Sequence, residues 1–577
     1  LVNKIAIFIV FISSILSFAP ALPQSSKQSE VIAKPLDDIR IITGTFGELR
    51  KNHFHTGVDF STKGETGKPV YSVFDGYVSR IKVSPFGYGK VIYITHPNGL
   101  TSVYAHLGEF NVLLNDYIVR KQYELESYEF DLKPDPRLFP VKKNDIIGYS
   151  GNSGISSGPH LHFEIRSTIS EKALNPYIYG IPNNDNFPPV IEKLRIYTMG
   201  NNSLVDNSFT DKDFDIIGNN KTYRLKAIDT IYVSGKIVVG VRCYDLLSNN
   251  INKTGIYSLN AYIDGETFFS YTMDSIDFED LKYVNSLIDY EEFVEDNSRI
   301  QKCQVSIGNR LSIYGKAKNF GIIDINDERQ HKVKIVISDY NKNYSELNFI
   351  IKGRLKGPVV NKTKTSGNKL LYYGVENKFD STGISLIFPP KAFYDSLYFG
   401  LSYKKASAGF FSDIFSIQDE NTPVHGYYTA IFDVSKKLEE KYYKNLLVAG
   451  LDKNNKIAGT FGGTYSNGKV TTKLPRFGRF ALVIDTAKPT ITPLNIYSGK
   501  NIKGQQEIKF KLTDNISGVK KYRCEANNKW LLFEYDAKNS ILTYKRDRHL
   551  PNGVIILKLE AEDERGNKNV YNLQLIN

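Results

Sequence analysis

Apolar and polar residues alternate with a period of two along most of this chain, and the alternating runs end in turn-forming residues. Residues 70–73, 76–81 and 90–96 read as three such strands, punctuated by Gly87, Tyr88 and Gly89 and by Pro97, Asn98 and Gly99. Similar runs occur at 331–338, 383–388, 479–484, 508–513 and 556–562. Helical spacing of apolar residues is scarce. The pattern predicts an all-β protein that begins with an antiparallel sheet whose loops surround a groove.

A chain of 577 residues is too long for one core and predicts about three to five domains. Residues 5–12 are apolar, follow Lys4 and precede the small residues Ala19, Pro20 and Ala21, as in a secretory signal over 1–21. The run is shorter than the roughly 20 apolar residues that span a bilayer. An uncleaved anchor is the competing reading, and the one in which the membrane is a partner. A polar linker, 22–35, leads into a first domain over 36–180. The pair Pro188 and Pro189 marks the next boundary. Beyond it a weak repeat is visible: strands end at Asp245 and Asp339, and again at Asp514 and Asp563, each leading into a turn. That arrangement suits immunoglobulin-like β-sandwiches over 187–355 and 488–577. The stretch between them, 357–485, reads as an all-β domain of unnamed fold.

Charge changes little in this picture. The net formal charge is +12, which suits an anionic envelope surface. No Lys/Arg cluster interleaves with aromatics, so nucleic acid is disfavoured as a partner. The three cysteines (Cys243, Cys303 and Cys524) cannot make a disulfide framework. Either Cys243 pairs with Cys303 or all three are buried thiols.

Histidine placement changes the picture most. Of nine histidines, His53, His55, His96, His106, His160 and His162 fall within about a fifth of the chain. His160 and His162, two apart on a strand, point to one face. His55 and Asp59 are four apart across Thr56, Gly57 and Val58, a poor helix, so a bend at Gly57 is expected to bring them to one ion. Imidazole and carboxylate are common zinc ligands, and a catalytic zinc keeps one position open for water.

These residues resemble the lysostaphin-type or LytM zinc peptidases, which cut peptide cross-links of bacterial cell walls. The family pattern H-x-x-x-D, then Y-x-H-L, then H-x-H within G-P-H-L-H-F-E appears here in order at His55, His106 and His160, over residues 46–166. The resemblance implies that His55, Asp59 and His162 hold zinc, and that His106 and His160 serve the water and the transition state. It implies an exported zinc metalloendopeptidase, in the periplasm or cell envelope, hydrolysing peptidoglycan stem peptides or cross-links. The alternative is a non-catalytic module that regulates other cell-wall hydrolases, as relatives that have lost ligands do; all five positions are filled here. The β-rich remainder is expected to locate the enzyme, with envelope proteins as further partners.

One departure from the family pattern is an insertion over 108–140, carrying Tyr117, Tyr123, Tyr128 and Phe130. It reads either as a loop packed on the domain's flank or as a wall of the substrate groove. Asp75 and Glu164 are candidate partners for ligand imidazoles. His53 is a weaker rival to His55, and His96 reads as structural. His331, His425 and His549 have no partner at ligand spacing. Trp530, with Phe533 and Tyr535, reads either as packing inside the last sandwich or as a stacking surface for sugars.

Overall fold

The computed structural model describes residues 32–183, 185–200, 202–219, 221–247, 252–354 and 369–577. The signal segment expected at 1–21 and most of the linker lie outside the described residues. Strand accounts for 48% of the protein and helix for 9%. No helix among the described residues is long and apolar enough to cross a membrane.

The first domain is an antiparallel sheet in the order Ile42–Gly44, Val58–Ser61, His160–Ser167, Leu100–Phe110, Lys90–Thr95, Gly76–Val83, Pro140–Val141. The central strand, His160–Ser167, is buried over its middle six residues. Phe60, Tyr104, Phe163 and Ile165 form the core on one side of the sheet. Gly57 is small because the neighbouring strand runs against it: a Cβ there would stand 2.3 Å from the Phe163 carbonyl. The expected strands appear as Pro69–Tyr71, Gly76–Val83 and Lys90–Thr95.

The insertion is not a loop. It holds a helix, Val112–Leu125, whose first turn is capped by the Asn111 side chain accepting from Leu114 N. Leu114, Ile118 and Gln122 recur every fourth residue and face the domain. Exposed Val112, Leu113 and Leu125 blur that stripe in the sequence.

The next region is built on a 17-residue strand, Thr230–Leu246, antiparallel to Val190–Thr198 and parallel to Tyr344–Gly353. It is joined to the first domain through structure, not only through chain. Ala173–Leu174 pairs with His160–Ser167 on one edge and Ser275–Ile276 on the other. Phe46, Leu49 and Phe54, which precede the metal-site residues in sequence, lie in the core of the second region.

Residues 369–485 form two five-stranded sheets and a two-stranded one around a core rich in Phe388, Phe393, Phe415 and Phe480. The last sandwich pairs a four-stranded with a five-stranded sheet. It folds back onto the first domain, where Trp530 meets Tyr123 of the inserted helix edge-on at 5.1 Å. Trp530 is therefore neither an internal packing residue of its sandwich nor an open stacking surface. Cys243, Cys303 and Cys524 are buried free thiols.

Candidate metal centre

Strand register assembles the centre. His162 on the central strand sits opposite Asp59 on one neighbour and Ala105 on the other. His55 precedes the Asp59 strand, and its backbone is pinned by hydrogen bonds with Gly47 and Glu48. His55 Nε2, Asp59 Oδ1 and His162 Nδ1 converge: the separations are 3.0 Å for His55–Asp59, 3.0 Å for His55–His162 and 2.9 Å for His162–Asp59. All three residues are buried.

The outer bonds fix which nitrogen faces inward. His55 Nδ1 donates to the Thr45 carbonyl at 2.8 Å, which leaves its Nε2 with a lone pair. His162 Nε2 donates to Glu164 Oε1 at 2.8 Å, which leaves Nδ1 for the centre. Asp59 turns its other oxygen to Arg50, 2.7 Å away. Glu164 is held by Arg166 at 2.6 Å, and by the hydroxyls of Thr56 at 2.6 Å and Tyr88 at 2.5 Å. Two imidazole lone pairs and a carboxylate make a donor set suited to a divalent metal.

Electrostatics follow the same lines. Burial lowers His55 to about 4. Burial also opposes charge on His162, but the bonds to Asp59 and Glu164 outweigh it and raise this group to about 9. Asp59 is buried, yet His55 and His162 hold it well below the ordinary carboxylate range. Asp59 and Glu164 thus favour positive charge at His162, while burial disfavours it on His55.

His106 and His160 stand beside this trio, with rings 4.8 Å apart. His160 Nε2 lies 3.6 Å from Asp59 Oδ1. His106 adopts φ +58°, so the strand is kinked at this residue. Its Nδ1 donates to the Ser153 carbonyl at 2.9 Å, and His160 Nδ1 donates to the Gly158 carbonyl at 2.9 Å. Both therefore present a bare Nε2. Burial, then the neighbouring His162 and His160, lower His106 to about 3.

The other sequence candidates separate from the centre. His53 is exposed and bonds the Lys51 carbonyl. His96 is buried between Asp75 O and Ser102 Oγ. The Asp75 carboxylate pairs with Lys142, so of the two candidate imidazole partners only Glu164 reaches a ligand. Tyr88 falls in a turn predicted from sequence, yet its ring stacks on His162 with centroids 5.2 Å apart. The surrounding glycines hold the signal: a Cβ on Gly89 would meet Ser153 Oγ at 2.3 Å, so this turn lies against the histidine-holding loop.

Residues 53–123 match the family model described as Peptidase family M23, and residues 368–485 match a Zu5-like domain. The chain carries an M23, lysostaphin-like peptidase domain followed by further β-sheet domains. It is 30% identical over 128 residues to the DD-carboxypeptidase/endopeptidase Mpg of Neisseria meningitidis serogroup B, covering 22% of this chain and 23% of that protein. It is 32% identical over 125 residues to lysostaphin of Staphylococcus simulans, covering 21% and 20%. The match thus spans about a fifth to a quarter of the length of these relatives. Among solved structures, the catalytic domain of lysostaphin from Staphylococcus simulans is similar at 27% identity with a TM-score of 0.18, covering 23% of this chain and 87% of that one.

Proposed function

We propose that this chain is an exported zinc endopeptidase that hydrolyses peptide bonds in peptidoglycan stem peptides or their cross-links. The observation that carries the reading is the convergence of His55 Nε2, Asp59 Oδ1 and His162 Nδ1, with the remaining histidine nitrogens committed to Thr45 O and Glu164. The peptidase reading is supported by the similarity to Mpg, named a DD-carboxypeptidase/endopeptidase, and to lysostaphin, titled an antimicrobial peptidase, and the choice of substrate by the M23 family match.

Zinc held by these three residues would lower the pKa of a bound water toward about 7 and polarise the scissile carbonyl. The protein's own part is proton handling and positioning. His106 and His160 offer bare Nε2 atoms, so each can accept a proton from the attacking water. Neither can donate to a developing oxyanion until it has done so. One of the two therefore acts first as base and afterwards as hydrogen-bond donor. Glu164 keeps His162 in the tautomer that points Nδ1 inward, and the Tyr88 ring limits its rotation.

The test is digestion of purified peptidoglycan with wild type and Asp59→Ala, the released fragments identified by mass and the zinc by elemental analysis. Peptide-bond cleavage by the wild type, with zinc and cleavage both lost in the variant, is expected. Zinc-loaded wild type that releases no fragments would sink the enzyme reading in favour of a non-catalytic envelope module.

A further inference from the structure

Two groups of three aspartates lie outside the peptidase site, and both occupy junctions between domains. Asp185, Asp245 and Asp339 meet where the peptidase domain joins the following β region; Asp485, Asp514 and Asp563 meet where residues 369–485 join the last sandwich. The construction is the same in each. One aspartate comes from the linker and two from strand ends. The third is gripped by an asparagine four residues on: Asn343 donates N and Nδ2 to Asp339 at 2.8 and 2.7 Å, and Asn567 does the same to Asp563 at 2.9 and 2.7 Å. Each asparagine amide also reaches the linker aspartate's carbonyl, at 3.1 Å to Asp185 and 2.9 Å to Asp485.

In both groups the second aspartate keeps a sealed Oδ1 without a hydrogen-bond partner, and the groups differ in how deeply that aspartate is buried. Asp514 Oδ2 accepts from two backbone N–H groups, Ile516 at 3.2 Å and Gly518 at 2.8 Å. Asp245 is only 2% exposed, and its Oδ1 is sealed from solvent without a hydrogen-bond donor. A second sealed atom belongs to the same junction. The Tyr177 hydroxyl is unpartnered on a residue 5% exposed, and after burial itself the charges of Asp245 and Asp185 act on it most strongly. Its ring packs 5.5 Å from that of Tyr340, the residue after Asp339.

Leaving such oxygens unpaired is costly, and more so for a charge than for a neutral group. The neighbouring charges on Asp245, those of Asp185 and Asp339, are of its own sign. Burial and this repulsion raise Asp245 to about 8. A cation removes the conflict. The donors are all oxygen, with no imidazole or thiol in the group, which selects a hard ion over zinc.

We propose that Asp185, Asp245 and Asp339 bind a hard divalent cation of the calcium class, clamping the peptidase domain to the β region behind it. Asp185 lies in the linker out of the peptidase domain, and Asp245 and Asp339 at the ends of two strands of the next domain, so one ion would tie the linker to both.

The experiment uses the full, zinc-loaded chain and calcium chloride as probe. After dialysis against calcium-free buffer, calcium binding is counted by equilibrium dialysis and the melting midpoint is followed as calcium is added. The wild type is expected to take up calcium and to melt higher with it. Asp245→Asn and, separately, Asp339→Asn should each bind one equivalent fewer and lose the calcium-dependent rise, while keeping their zinc. Each removes a like charge, so folding without calcium should be retained and is checked by the same melting curve. A wild type that takes up no calcium, or variants that take up as much as the wild type, would overturn the proposal.

Discussion

The peptidase domain touches two β domains, and the two contacts differ in kind. With the region that follows it, the peptidase domain shares a core: Phe46, Leu49 and Phe54 are buried among that region's side chains. The Ala173–Leu174 strand carries backbone pairing across, and Arg299 donates to the Leu49 carbonyl at 2.7 Å. The last sandwich rests on the opposite kind of surface. Its contacts are mostly polar: the ion pairs Lys90–Glu534 at 2.9 Å, Arg523–Glu126 at 2.6 Å and Lys545–Glu109 at 3.3 Å, with one aromatic cluster at Tyr123 and Leu532 packed on the peptidase core. A shared core cannot part without exposing apolar side chains to water. The exposed pairs Arg523–Glu126 and Lys545–Glu109 contribute little each and weaken with salt, while Lys90–Glu534, with Lys90 buried, is less screened. The first contact makes one folding unit, and the second is a docking that can be released.

Truncation tests that contrast most severely. A chain ending at residue 182 would expose Phe46, Leu49 and Phe54, each worth about 1.5–3 kcal/mol when buried. The sum rivals the roughly 5–15 kcal/mol that holds a whole domain together. Such a chain is expected not to fold, whereas one ending at residue 486 should fold and bind zinc. Soluble yield, circular dichroism and metal content measure both. A stable, zinc-bearing 182-residue fragment would show the shared core to be dispensable.

His106→Ala sets the scale for effects inside the site. It should retain zinc and fold, and lose about 10²–10⁴-fold in turnover if His106 carries the proton. Near-normal turnover would make His106 a structural residue and leave His160 as the base.

Release of the last sandwich can be watched directly, because Trp530 is the only tryptophan. Tyr123 stacks on His549 at 3.7 Å, meets Trp530 at 5.1 Å and donates to Asp547 at 2.5 Å. Tyr123→Ala removes all three contacts, an expected loss of about 2–3 kcal/mol of docking. Tryptophan emission should shift to longer wavelength, and raised salt should produce a smaller shift in the wild type. Unchanged emission in the variant would mean that the contacts other than those of Tyr123 hold the sandwich.

The sequence and the structure agree where one local rule decided the outcome. The strands around Val78 and Ile92 were legible because alternation and glycine turns both mark them. The meeting of His55, Asp59 and His162 was legible because H-x-H on a strand and H-x-x-x-D across Gly57 each constrain geometry within a few residues. What escaped was set by partners distant in sequence. The helix at Val112–Leu125 has a cap and a four-residue period, but its exposed apolar residues obscured the buried stripe. Tyr88 acts through Glu164, 76 residues away, and Trp530 finds its partner in Tyr123. Of the aspartate groups, the sequence showed Asp245, Asp339, Asp514 and Asp563 as a repeat. Asp185 and Asp485 sit in linkers with no pattern to mark them, and only the fold brings them in.

The smallest predicted effect joins the releasable contact to the chemistry. Lys538, on a hairpin of the last sandwich, donates to the carbonyls of Asn152 and Ser156. Between those residues lies Ser153, whose carbonyl orients His106, and the Ser156 hydroxyl lies 3.1 Å from His160 Nδ1. Glu534 on the same hairpin holds Lys90, whose backbone N–H donates to Ser153 Oγ at 2.9 Å. The hairpin therefore braces the loop that aims both histidines. One hydrogen bond to such a loop is worth about 1 kcal/mol, so Lys538→Ala should lower turnover on a soluble peptide by roughly 5-fold, with zinc content and melting unchanged. Lys538→Arg, which keeps the donor, should restore most of it. If the last sandwich instead obstructed the groove, Lys538→Ala would be faster than the wild type, and the bracing role would be excluded.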